Sequence, residues 1–256
     1  IYMDAKRYPY LCGHATMGAV ASLFAAGDLR LAQGKNRILV DTPSGPMAAV
    51  ARVSNNRVDS VAIDMIPSFV HAVNQPLDIP GFGQVPVDLV CTGGFFAMVD
   101  ARALGMEPVL KNKEPLVDLG MKIIDAANEQ LSVTHPVRQD VKTVDVTEFW
   151  TSDHSGPVPW GRGVVVYGES HMDRSPCGTG TAAKMALLRH YGRIEMDQTY
   201  KNHSPLDTSF EAKLVKKTQI GHQKAYVTRI KGRAWITGIH HFYLEKTDPF
   251  QNGYLV

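Results

Sequence analysis

Two stretches of this 256-residue chain place a cysteine at the mouth of an apolar, helix-like segment: "YLCGHATMGAVASLFAAG" over residues 10–27 and "HMDRSPCGTGTAAKMA" over 171–186. Aligned on the cysteine, Cys12-Gly13 matches Cys177-Gly178, Thr16 matches Thr181, Ala21 matches Ala186 and Leu23 matches Leu188. Each segment meets a glycine fifteen residues on, at Gly27 and Gly192, where a helix of that length takes its C-terminal glycine. A single cysteine at a helix start is most simply a small buried hydrophobe. Two with matching exits read as one design used twice.

The chemistry of such a pair follows from helix ends. A helix N-terminus carries unpaired N–H groups and about half a positive charge, which favours a thiolate and binds a carboxylate without arginine or lysine. Small residues after each cysteine (Gly13, Ala15, Gly178, Gly180) let a ligand approach the backbone. Two such mouths facing each other would clamp one carboxylate between two sulfurs. A carbon acid held there loses its proton to one sulfur and regains it from the other on the opposite face. Inversion needs no cofactor, because the developing charge falls on oxygens already facing N–H donors. No metal is expected either, since the C-x-H spacing of Cys12 and His14 fits no common zinc pattern.

"CGHAT" and "MDRSPCGTGT" resemble the two signature segments of the proline racemase family, which includes 4-hydroxyproline 2-epimerases and trans-3-hydroxyproline dehydratases and shares its fold with diaminopimelate epimerase. "AANEQ" resembles the family's middle and "DPFQNGY" its closing segment. The resemblance implies that Cys12 and Cys177 are the acid/base thiols. It implies that His14 and Asp173 hold the substrate's ring nitrogen. The N–H groups of Gly13, His14, Gly178 and Thr179 would receive the carboxylate. The dehydratase branch replaces one cysteine with a hydroxyl residue; both stand here, which disfavours dehydration. Proline racemisation is the alternative to 4-hydroxyproline epimerisation, which the family's place in hydroxyproline breakdown narrowly favours. Tyr167 and the pair Phe95-Phe96 are candidates for the ring's far edge, or for the core.

Other readings carry less. Gly178-Thr179-Gly180-Thr181-Ala182-Ala183 fits a G-x-G-x-x-A dinucleotide pattern, but the strand before it ends some eight residues early, with Pro176 and Cys177 intervening. A non-enzymatic ligand-binding or redox protein would also suit helix-end thiols, and turnover on a proline separates it from the enzyme. Cys91, in an apolar strand pattern, reads as core.

The elements that must position the thiols form a strand-rich α+β chain. Helices are expected over about 12–26 and 113–131 and after Cys177. Strands are expected in 1–11, in three runs between 37 and 66, around "VDLVCTGGFFAMVD", "GRGVVVYGE" and "FEAKLVKK", and through "KAYVTRIKGRAWITG" to residue 238. The Pro- and Gly-rich "NQPLDIPGFGQVP" over 74–86 reads as a linker. The fold expected is two pseudo-symmetric halves, each a curved, mostly antiparallel sheet around a central helix. The first covers 1–75, N-terminally incomplete by the resemblance and rejoined by 239–256. The second covers 85–238.

Composition is that of a globular protein, 44% apolar and 20% charged. A net charge of +2 gives no general case for nucleic acid or an anionic membrane, and no apolar run approaches the roughly 18 residues of a membrane span. Three cysteines are too few for a disulfide scaffold, which points weakly to the cytoplasm. The expected partner is a small molecule, with room for a homodimer.

Overall fold

The computed structural model describes residues 1–3, 8, 11–43, 45–168 and 171–253. Most of the strand and loop expected before the first helix lies outside them, as do Ser44 of the Pro43–Gly45 turn and Glu169. The first helix, α1 (Gly13–Ala26), starts directly after Cys12 and stops at Gly27, whose φ of 85° lets its N–H reach back to the carbonyls of Leu23 and Phe24. It contains no charged residue, so packing holds it in place: Met17, Val20 and Ala21 are buried, largely against β3 (Arg57–Asp64).

One continuous sheet carries the molecule. β1 (Gly34–Val40) and β2 (Met47–Ser54) pair antiparallel with each other, and β2 with β3. β12 (Gln223–Gly232) pairs with β3 on one side and with β11 (Ser209–Ile220) on the other. From β11 the order runs through β10 (Tyr200–His203), β8 (Trp160–Tyr167), β7 (Val144–Asp153), β6 (Phe95–Asp100) and β5 (Gly83–Cys91) to β4 (Ser68–Ile79). β4 then pairs back onto β12 through Ala225 and Phe69, so this part of the sheet closes on itself. Two pairings are parallel, β6 with β7 and β8 with β10; the others are antiparallel. The short β9 (His171–Met172) hangs from β8 and leads to the second cysteine.

Strand alternation sorts the side chains into two cores. Phe96, Met98, Trp150 and Val165 face α3 (Gly178–His190), whose residues Ala182–Leu188 are buried inside the closed sheet. Ala97, Val99, Phe149, Val164 and Val166 face the other way, onto α2 (Lys113–Gln130). The expected helix over 113–131 is thus an outer layer, while α3 is the central one. The fold is α+β, with a curved, mostly antiparallel sheet, as its sequence pattern implies.

Two expectations are corrected. The segment 74–86 is no linker: it is most of the β4–β5 hairpin, with Pro76 opposite Pro86 and Leu77 and Val85 fully buried. Its apolar residues alternate, and that periodicity outweighs the prolines, which sit opposite each other where neither needs to donate an N–H to the ladder. The strand expected to continue to 238 stops at Gly232, where a Cβ would stand 2.5 Å from the Phe210 ring and 2.8 Å from Met17 sulfur. The described residues from 233 to 253 form no strand, and β12 is what joins β3 to the rest of the sheet.

Gly120 shows how tightly α2 is seated. A Cβ there would lie 2.8 Å from Val166 Cβ, a branch point that cannot swing away. Helix propensity favours Gly120→Ala by about 1 kcal/mol, whereas overpacking costs about 1–3 kcal/mol. The clash should win, and the urea midpoint of Gly120→Ala should fall. A rise would mean that β8 yields more easily than this packing implies.

Candidate active site

Cys12 and Cys177 are the N-cap residues of α1 and α3. Their local structure differs. Cys12 is extended (φ −143°, ψ 104°), and its carbonyl accepts from the Thr16 N–H at 3.1 Å and the Thr16 hydroxyl at 2.9 Å. Cys177 stands at φ 55°, ψ 120°, a left-handed backbone that a side chain tolerates only when its surroundings over-determine it. They do. Its N–H donates to Ser175 Oγ (3.0 Å), its carbonyl accepts from the Thr181 N–H (2.9 Å), and its sulfur accepts the Gly180 N–H (3.3 Å) and touches the Thr179 hydroxyl (3.4 Å).

The two helix mouths meet at their first residues. A Cβ on Gly13 would stand 3.3 Å from Gly178 Cα, and one on Gly178 would stand 3.2 Å from Gly13 Cα. Glycine at both positions eases this approach, since a side chain at either would press on the other's backbone. Helix geometry leaves the N–H groups of Gly13, His14, Gly178 and Thr179 without acceptors inside their helices, so the meeting gathers two sets of donors around one point.

His14 reaches across the junction. Its Nδ1 shares a hydrogen bond with Ser175 Oγ at 3.0 Å and lies 3.7 Å from Asp173 Oδ2. Asp173, 9% exposed, also accepts the Ser175 N–H at 2.8 Å. Asp173 therefore caps the turn before Pro176 and faces His14 as well. His14 is pushed above the ordinary histidine value, chiefly by its hydrogen bond with the Cys12 side chain, against the opposing effect of burial. Cys177 is pushed well up, first by burial and then by the charge of Asp173.

Every residue expected at the site (Cys12, Gly13, His14, Asp173, Cys177, Gly178 and Thr179) lies at this junction. Ser175 was missed. Its signal was present in D-x-S before the proline, a side chain–backbone turn that delivers a hydroxyl to the next helix mouth. Phe95 and Phe96 are core residues, at 0% and 4% exposed, one on each face of β6. Cys91 is buried beside Phe69 and Phe95, and burial pushes its thiol up to about 12, which makes it inert.

Comparison with known proteins matches the chain to the family model described as proline racemase over residues 1–255. The chain belongs to the proline racemase family. It is 32% identical to a proline racemase of Clostridioides difficile and 32% identical to a 4-hydroxyproline 2-epimerase of Streptosporangium roseum, in each case across all of this chain and 76% of the relative. Among solved structures it resembles a hydroxyproline epimerase of Agrobacterium vitis with bound trans-4-hydroxy-L-proline, at 28% identity and a TM-score of 0.91 over 99% of this chain and 72% of that one. A probable proline racemase of Agrobacterium radiobacter with bound carbonate gives 27% and 0.90, over 99% and 74%. These named relatives are isomerases, and this chain is an isomerase of the same family. Among the described residues no helix is long and apolar enough to cross a membrane.

The raised His14 titration carries a sign that can be checked. A folded value above the unfolded one means imidazolium is favoured in the native state. The associated stabilisation is present below pH about 6.5 and is lost as pH rises through the raised value. Because the Cys12 contact is the largest cause, Cys12→Ser should move the His14 midpoint downward, as followed by NMR of the ring C–H signals. An upward move, or none, would remove Cys12 as the cause.

Proposed function

We propose that the junction of α1 and α3 inverts the α-carbon of a proline-type amino acid by two-thiol proton transfer. What carries the reading is the pair of N-cap cysteines on helices whose first residues, Gly13 and Gly178, approach so closely that a Cβ on either would crowd the other's Cα. The substrate carboxylate lies against the N–H groups of Gly13, His14, Gly178 and Thr179. Its ring nitrogen is held by Asp173 and His14, a cationic amine suiting a nine-tenths-buried carboxylate. One thiolate takes the α-proton; the C–H electron pair moves into the carboxylate, where the helix N–H groups meet the growing charge. The opposite thiol then returns a proton to the other face, and its sulfur is left as the thiolate. Atoms and charge balance with no cofactor. Water is kept from the intermediate by closing the two halves, the first carrying α1 and the second α3, around the substrate.

Both thiols are required in this scheme. Cys12→Ser and Cys177→Ser should each lower racemisation by a factor of a thousand or more, on the order of what removing an acid/base group costs, since a hydroxyl is a very weak acid/base at neutral pH. A single variant can still exchange one enantiomer's α-proton with deuterated water. Full activity in either serine variant would overturn the mechanism. Planar pyrrole-2-carboxylate should protect both thiols from iodoacetamide, because it mimics the flattened α-carbon.

Of the two substrates, trans-4-hydroxy-L-proline is the one proposed. Its support is the bound trans-4-hydroxy-L-proline in the A. vitis structure and the name of the S. roseum relative, which this chain matches at the same identity as it does a proline racemase. Polarimetry on this compound and on L-proline with one preparation decides. A kcat/KM favouring proline overturns the substrate and leaves the two-thiol reaction; turnover of neither overturns both.

A further inference from the structure

Behind the mouth of α3 lies a charged pair that the proton-transfer scheme does not use. Glu148 on β7 and Lys184 on α3 are both 0% exposed, with Lys184 Nζ 3.1 Å from Glu148 Oε1. The lysine nitrogen also donates to the Asn202 amide oxygen at 2.7 Å and the Arg162 carbonyl at 3.0 Å. Two hydrogen bonds and one ion pair thus surround the lysine nitrogen. Neither oxygen of Glu148 has a hydrogen-bond partner, an expensive state for a buried carboxylate that only the Lys184 charge offsets.

The molecule makes room for that carboxylate. A Cβ on Gly163 would stand 2.4 Å from Oε1, and one on Gly180 would stand 2.5 Å from Oε2. Gly180 is also the residue whose N–H holds the Cys177 sulfur. Glu148 Oε2 therefore lies against the residue that donates to the thiol. Asn202, held by Lys184, turns its NH2 group to the Pro176 carbonyl (2.9 Å) and the Thr181 hydroxyl (2.8 Å), so the same cluster fixes the backbone before and after Cys177.

We propose that Glu148 is a positioning residue for Cys177: its carboxylate offsets the Lys184 ammonium and the positive end of α3, so that this sulfur rests as the protonated thiol and enters turnover as the proton donor. The role in turnover rests on the two-thiol reading above; the resting state does not. The charged and titratable groups acting on this thiol are Asp173 from the loop before it, Glu148 from β7 and Lys184 from α3, with His14 beside Asp173 and the Cys12 thiol across the mouth. Two of the acting groups are anions facing a single cation. The Thr179 hydroxyl and Gly180 N–H pull the other way.

The test is peptide-resolved alkylation with iodoacetamide across pH in the substrate-free protein. Cys12 is the internal reference, and core-buried Cys91 reports unfolding. Glu148→Gln leaves Lys184 uncompensated, so Cys177 should ionise about one pH unit lower or more and react about tenfold faster relative to Cys12 at neutral pH. The double variant Glu148→Gln/Lys184→Met removes both charges and should bring the ratio back to within about twofold of wild type. An unchanged ratio in Glu148→Gln overturns the proposal. So does a double variant that keeps the fast rate, since that marks packing rather than charge. Should Glu148→Gln expose Cys91, the unaltered protein decides: Cys177 reacting after Cys12 at neutral pH, with the gap narrowing as pH rises, supports the proposal, and Cys177 reacting first overturns it. Turnover plays no part in these rates. A protein without proline activity that still shows the charge-dependent ratio fails the functional reading alone.

Discussion

The contact of Gly13 with Gly178 is the constraint on which the rest of this structure depends. Two helix N-termini repel each other through their dipoles and their unpaired N–H groups. Holding them together requires that each helix be anchored elsewhere. α3 is anchored by enclosure, with residues 182–188 buried on all sides by the closed sheet. α1 leans on β3 and on Ile63 and Met65, which crowd its first glycine. β12, shared between β3 and β11, ties the two supports into one sheet. The tertiary energy of those contacts maintains the junction.

The two thiols are repeated in sequence but not in surroundings. Thr16 and Thr181 occupy matched positions, yet Thr16 returns its hydroxyl to the Cys12 carbonyl while Thr181 bonds to the Pro176 carbonyl one residue earlier. The shift goes with the left-handed turn at Cys177, which Cys12 does not make. Cys12 has a histidine for a neighbour; Cys177 has carboxylates and a buried ion pair. The proposed two-thiol reaction needs two sulfurs able to exchange roles, and it does not need them to start alike.

Much of the site was legible in the sequence because the chemistry is local. A helix mouth is a run of contiguous residues, so the cysteine, the glycine after it and the exit glycine all appear within one stretch. Asp173, Ser175 and Cys177 likewise lie within five residues. The hairpin over 74–86 was misread because proline and glycine signal turns strongly, while the alternation that makes Leu77 and Val85 core is spread across both strands. Glu148, Lys184 and Asn202 were invisible for another reason. They come from β7, α3 and β10, and a charged residue on a mostly apolar strand looks like an edge or surface position until its neighbours are known.

By itself the sequence determined the two thiols, their helix mouths, the α+β class and the family, since each is written in short-range pattern or in motif. Only the tertiary structure decided that the mouths meet, that His14 of one segment meets Ser175 and Asp173 of the other 161 and 159 residues away, and that a buried carboxylate–lysine pair lies behind Cys177. Those facts depend on which strands close the sheet and in what register. Pairing of that kind is settled by burial of the whole core, and no stretch of residues near the cysteines encodes it.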